Sequence, residues 1–280
     1  MPKFLDRLAA ADKPLLWLED TAYIDRLLAG GKTPWHDGAE YVALRRKAVG
    51  LLKPDVIAIP LGAFAKAWVA ARPELRTAMA GKKRAVAPAR TLLAEEGLRE
   101  HLVETLKGLR AAFGGGLLML TLPSPRAWVL LGWRLAFGDD AEIEVGADET
   151  DACAVYVAEF LRCFGESGVD GLLLEDEPGA EPTSAEELSW YQPVINIAGH
   201  YRWDVGALLP TATAFEGEAS GLQFVIAPKA IAGAANGLAL SDAFWTGESA
   251  PPVSPGAFRY AAIPADAIPE KVLERLATLR

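Results

Sequence analysis

The chain has 280 residues, 51% of them hydrophobic, and a formal net charge of −9 at pH 7. That length suits one large domain, and that apolar content excludes global disorder. The acidic balance, with no compensating basic stripe, argues against nucleic acid and anionic membrane as partners.

No apolar run of about 18 residues suggests a membrane span, and no N-terminal pattern reads as a signal peptide. Cys153 and Cys163 fall in one helical segment, cannot bridge each other there, and have no metal-type spacing. Two reduced core thiols and a cytoplasmic protein are the expectation. Lys82-Lys83-Arg84 reads as a solvated connecting loop.

Taken in order, residues 1–13 are an amphipathic lead-in. Pro14-Leu15-Leu16-Trp17-Leu18 forms a first strand that runs out into Glu19-Asp20. A loop with His36-Asp37 precedes a helix over 39–52, which Lys53-Pro54 stops. Asp55 to Pro60 is the second strand, followed by helices over 63–80 and 89–112. Gly114-Gly115-Gly116 ends the latter. Leu117 to Leu122 is the third strand, closing on Pro123-Ser124-Pro125-Arg126, with helices over 126–137 and 148–167 behind it. Residues 169–175 are the fourth strand, apolar on both faces as a covered parallel strand requires, and they end in Glu175-Asp176-Glu177. Thr183-Ser184 caps a helix reaching about Gly199, which Pro193 kinks or divides. Short strands follow at 203–209, 222–227, 237–241 and 259–263, then a helix over 267–279.

Eight strands alternating with helices predict a (β/α)8 TIM barrel, one domain over residues 1–280, with short helices in its compressed second half. An open doubly wound sheet is the alternative, but no G-x-G-x-x-G follows an early strand.

The pattern resembles the uroporphyrinogen decarboxylase and cobalamin-independent methionine synthase superfamily. Pro14-Leu15-Leu16-Trp17-Leu18 resembles the decarboxylases' Pro-Val-Trp-Leu-Met opening strand. Leu120-Thr121-Leu122-Pro123-Ser124-Pro125 resembles their Gly-Ala-Pro-Phe-Thr-Leu segment. The helix before Gly168-Val169-Asp170-Gly171-Leu172 resembles the one before their Gly-Ala-Asp strand. The likeness spans residues 14 to 210 and implies a barrel, decarboxylase or methyl-transfer chemistry, and a possible homodimer. The departures matter more. Glu19-Asp20 stand where the decarboxylases have an arginine, Ile59-Pro60-Leu61-Gly62 where they have a catalytic aspartate, and Tyr260-Ala261-Ala262 where they have His-Gly-Ile. Acids in place of cations exclude uroporphyrinogen itself. The methyltransferases' His-x-Cys zinc pair is missing, so no metal and no cofactor is expected.

Chemistry is expected at the carboxyl ends of the strands, where ligand sites of such barrels collect. Glu175 and Glu177 share a side of an extended chain and, with Asp20 and His36, are the predicted catalytic groups, since paired acids can divide acid and base roles. Glu19, Trp17, Arg126, Asp242, Trp245 and Tyr260 are the predicted substrate contacts, with Arg126 as an anion clamp and Trp17, Trp245 and Tyr260 among the aromatics able to line an apolar pocket. His101 reads as solvated in a helix. Thr246 to Pro252 has the composition of a mobile lid. The expected function is an acid–base lyase, decarboxylase-like, acting on a small cyclic or aromatic molecule. A zinc-independent methyltransferase or demethylase with a folate or corrinoid carrier is one alternative, and a non-catalytic ligand-binding barrel another. A metal-dependent hydrolase also stays open.

Overall fold

Eight parallel strands pair in chain order and close on themselves in the structure, a computed structural model that describes residues 3–280. The strands are β1 (Leu16–Glu19), β2 (Val56–Pro60), β3 (Leu117–Pro123), β4 (Gly171–Glu175), β5 (Asp204–Leu208), β6 (Phe224–Ala227), β7 (Ala235–Ala239) and β8 (Phe258–Ala262). Closure runs from Leu16 beside Arg259 to Glu19 beside Ala262. The barrel is the (β/α)8 architecture read from the alternation of elements.

Side-chain alternation along each strand sorts the core into two shells. Trp17, Val56, Met119, Leu173, Phe224, Phe258 and Tyr260 fill the interior. Their neighbours Leu18, Ile57, Leu118, Leu172, Leu174 and Val225 point outward against the helices. The lead-in, whose first two residues lie outside the described ones, is helix α1 (Phe4–Ala10), and it plugs the amino-terminal end of the barrel. Phe4 is fully buried there, with ring centroids 5.7 Å from Trp17, 4.9 Å from Phe224 and 5.0 Å from Phe258. Burial of such a ring is worth about 2–3 kcal/mol.

The interior aromatics fit because glycine sits opposite them. A Cβ on Gly206 would overlap the Phe224 ring, and one on Gly237 would come within 2.5 Å of Phe258. Gly206→Ala is therefore expected to destabilise the protein by about 1–3 kcal/mol through overpacking. Thermal melts would detect this, and an unchanged melting temperature would refute it.

On the outside, the first half of the barrel is richly helical. The helices are α2 (Thr21–Ala29), α3 (Gly38–Leu52), α4 (Leu61–Ala70), α5 (Pro73–Met79), α6 (Ala87–Leu93), α7 (Glu96–Phe113), α8 (Pro125–Phe137) and α9 (Ala147–Leu161), then α10 (Ala185–Ser189) and α11 (Gln192–Tyr201) before β5. Several helices expected to be long are broken pairs. Pro73 opens α5 instead of continuing α4, because proline is tolerated in a first turn and not in a helix interior. The span 89–112 divides at Ala94-Glu95, where Glu95 accepts from Leu98 N as the N-cap of α7. Pro193 likewise sits in the first turn of α11, so of the two expected effects it divides the helix and does not kink it.

The second half is more compressed than shortened helices would make it. The β5–β6 and β6–β7 connections, residues 209–223 and 228–234, contain no α-helix, and β7 reaches β8 through a 3-10 helix, Asp242–Thr246. Loop residues Leu209, Ala219, Leu222 and Ile231 cover the sheet there and are buried in place of a helix face. Helix α12 (Pro269–Ala277) closes the ring. Lys82, Lys83 and Arg84 are exposed between α5 and α6, as expected of a solvated loop. Cys153 is buried in α9, whereas Cys163 is only half-buried, in the 3-10 turn that ends it. Among the described residues no helix is long and apolar enough to cross a membrane.

Candidate active site

Parity along two strands decides which acids enter the barrel mouth. Trp17 and Leu173 point inward, so Glu19 and Glu175, two residues further and the last of β1 and β4, also point inward. Both line one cavity of about 360 Å³. Asp20 and Asp176, one residue later, turn outward.

Asp20 was expected in catalysis, but its carboxylate forms a buried ion pair with Arg45 of α3, Nη1 to Oδ1 at 2.7 Å, with both side chains 2% exposed. Glu19, expected only as a contact, takes the inward place. Glu177 returns to the cavity rim, where Arg134 of α8 pairs with it at 2.7 Å.

The cavity lies over the β1–β4 half of the mouth. Its apolar walls are Pro60, Pro123, Ala127 and Leu131, and its polar groups are the two inward glutamates, Thr21, Thr121 and Lys66 of α4, with Asp176 and Glu177 at its edge. Burial at the cavity floor raises the Glu175 carboxyl to about 8, and repulsion from Glu19 adds to it while Lys66 opposes it. Glu19 is raised in the same direction by burial, but it accepts a hydrogen bond from Thr21 N at 3.0 Å, which favours its ionised form. Among the described residues nothing donates a hydrogen bond to the Glu175 carboxyl. The two acids are close enough to feel each other's charge and differ in environment, which is how a carboxyl pair divides into acid and base. Tyr260 lies beneath them in the interior. Burial, with repulsion from Glu175 and Glu19, keeps its phenol protonated well above the usual range.

Behind β4, Asp176 is buried among hydroxyls. Ser124 Oγ donates to its Oδ1 at 2.5 Å and Tyr191 Oη approaches both oxygens, at 2.9 and 3.1 Å. Burial outweighs these bonds and raises Asp176 to about 7. The same Ser124 Oγ accepts from Ala127 N as the N-cap of α8. The network thus ties the end of β4 to the helix that walls the cavity. Arg126, expected as an anion clamp, does not line that cavity. It is buried, donates to Ala180 O at 2.6 Å and reaches Glu187 at 3.5 Å, so it orders the loop after β4.

The remaining predicted residues lie elsewhere. Trp17 is one layer below Glu19, packed on Phe4 and Phe224 in the barrel floor. His36 is exposed beside the Trp68 ring, 5.9 Å between centroids, and its neighbour Asp37 caps α3. His101, expected to be solvated, is half-buried, stacks on Trp68 at 5.4 Å and hydrogen-bonds Trp35 O at 2.8 Å. Asp242 and Trp245 line a separate cavity of about 370 Å³ against α12. Trp245 is held there by Nε1 donating to Ala262 O at 2.7 Å. The expected lid is tethered at its start, where Arg275 of α12 donates to Phe244 O and Glu248 O. Among the described residues no three His, Cys, Asp or Glu side chains gather as a metal site.

Three polar cavity residues, Thr21, Thr121 and Lys66, are not evident in the sequence. Thr121 carries a usable signal, a lone polar residue at an inward position near the end of β3. Lys66 carries none, because nothing in a helix-forming stretch shows which lysine faces the barrel mouth. No protein-family model matches this chain, and no curated protein matches it.

Proposed function

We propose that this barrel is an acid–base lyase whose working pair is Glu175 and Glu19. The observation that carries the reading is the asymmetry of the two inward glutamates. Burial raises the Glu175 carboxyl to about 8 with no donor to favour the anion, while burial raises Glu19 too but a hydrogen bond from Thr21 N opposes the rise. Glu175 would deliver its proton to the atom that takes the electron pair of the breaking C–C or C–O bond. Glu19 would remove a proton from the substrate or from water. Proton exchange with solvent then resets the pair. Protonation of this kind contributes about 10²–10⁴-fold in rate. Tyr260, kept neutral beneath the pair, is a hydroxyl donor available to the same site.

A cavity of about 360 Å³ with proline, alanine and leucine walls fits a small ring. A (β/α)8 barrel is the fold that the sequence resemblance to the decarboxylase superfamily implies. The carboxylate of Glu19 opposes a polyanion such as uroporphyrinogen. Decarboxylation is then one form of the reaction, with Glu175 protonating the carbon that loses CO₂.

The test has two readouts. Carbon-13 NMR of glutamate-labelled protein should show one carboxyl titrating near 8 that vanishes in Glu175→Gln. Turnover in D₂O of a panel of small cyclic acids should place solvent deuterium in a product, and both Glu175→Gln and Glu19→Gln should abolish it. A Glu175 that titrates as an ordinary carboxylate, or turnover that survives Glu175→Gln, would sink the reading.

A further inference from the structure

The cavity at the mouth of the barrel contains a cation that no described residue neutralises. Lys66, on the second turn of α4, lines the same cavity as Glu19 and Glu175, and its side chain is exposed. Among the described residues it has no carboxylate within ion-pair distance. The nearby acids are otherwise engaged. Glu177 is paired with Arg134, and Asp176 is turned away into the hydroxyls of Ser124 and Tyr191. The two groups left facing an incoming molecule are the Glu19–Glu175 pair and, at the α4 wall, the ammonium of Lys66. Ala63 and Ala127 leave the space between apolar.

We propose that Lys66 is the specificity determinant of this cavity and seats a single carboxylate of a substrate whose apolar body lies against Ala63, Ala127 and Leu131. A lysine at a cavity rim recognises an anion as a point charge, without the bidentate geometry of arginine. A second negative charge on the ligand would meet Glu19, and a cationic ligand would meet Lys66 itself. Monoanions with a small apolar body are therefore the class selected. The seated carboxylate anchors the substrate and is not the group that reacts, because neutralising a departing carboxylate would slow its loss. Of the lyase reactions open to the pair, this seat therefore selects cleavage of a C–O or C–C bond elsewhere in the body over decarboxylation. The inference rests on the acid–base reading in one respect: with Glu175 protonated, Lys66 is not drawn to it and stays free for the ligand.

Benzoate, benzamide and benzamidine share one planar body and carry charges of −1, 0 and +1. Calorimetric titration of each into the intact protein should rank them in that order of affinity. Benzoate should also perturb the carbon-13 signal of Glu175, which locates it in this cavity. A charge-assisted bond of about 1.5–3 kcal/mol predicts that Lys66→Met weakens benzoate by about tenfold or more. Benzamide should change by less than about twofold, and Lys66→Arg should restore most of the benzoate affinity. Equal or tighter binding of benzamidine, benzoate affinity untouched by Lys66→Met, or no benzoate binding in this cavity would overturn the proposal. If Glu175 titrates near 8 but benzoate shows no preference, the anion seat falls and the acid–base pair stands. If benzoate is preferred but Glu175 titrates normally, the seat stands and the acid–base reading falls.

Discussion

Glu175→Gln is expected to make the protein more stable in alkaline buffer and inactive at every pH. The Glu175 carboxyl moves from an ordinary value of 4.5 in the unfolded chain to about 8 in the fold. Between those values the folded protein holds a proton that the unfolded chain has released. Stability from this group is therefore full below about pH 4.5, falls as pH rises toward 8, and is flat above it. Glutamine mimics the neutral acid and never ionises, so wild type and variant should coincide near pH 4.5 and separate progressively to pH 8. Each pH unit across that interval is worth about 1.36 kcal/mol for a fully enclosed group. Discounted because the side chain is partly exposed, the gain at pH 9 is on the order of 3 kcal/mol. Asp176, raised to about 7, adds a slope of the same sign between about 3.8 and 7 that the variant keeps. Urea denaturation at pH 5, 7 and 9 checks this, and parallel stability curves for the two proteins would contradict it. Catalysis should drop by about 10²–10⁴-fold, and wild-type activity should decline as pH rises through about 8, where the acid loses its proton. A residue that costs stability and supplies chemistry is the usual signature of an active site.

Breaking the Asp20–Arg45 pair should give the largest loss of stability. Both side chains are 2% exposed, so Arg45→Met leaves an unpaired carboxylate in the interior, at a cost of about 3–5 kcal/mol. Asp20→Leu strands the guanidinium in the same way. The double variant, Asp20→Leu with Arg45→Met, should recover most of the loss, because apolar replacements of a buried ion pair are often neutral. The pair is also imperfect, since Asp20 Oδ2 and Arg45 Nε find no partner among the described residues. Equilibrium unfolding of the two single variants and the double variant measures this. The double variant also separates the two carboxylates at the end of β1. If it folds and turns over substrate, Asp20 holds α3 to the barrel and Glu19 works alone. If it folds well but is inactive, Asp20 has a role at the mouth that the ion pair does not account for.

Much of the scaffold is written in short-range periodicity. Leu172-Leu173-Leu174 between Gly171 and Glu175 is apolar on both faces, and a residue run of that kind is a covered parallel strand wherever it falls. Runs of this kind, separated by helical periods through the first half of the chain and by loops through much of the second, mark a (β/α)8 barrel and put Glu19 and Glu175 at strand ends. Proline in a first turn and proline in a helix interior look alike in sequence, so Pro73 and Pro193 were legible as punctuation and their exact effect was not. The absence of α-helices from 209–223 and 228–234 depended on loop residues such as Leu209, Leu222 and Ile231 packing as a helix face would.

The amino-acid sequence by itself determined the acids at the ends of β1 and β4, because strand length and alternation are local. Only the tertiary structure decided which of them share a cavity. Whether an acid works or merely holds the fold depends on partners far along the chain. Arg45 draws Asp20 away, Ser124 and Tyr191 enclose Asp176, Arg134 pairs with Glu177, and Lys66 arrives on a helix with no signal of its own. The strength of a buried charge interaction depends on distance and burial, neither of which a residue's neighbours in sequence reveal.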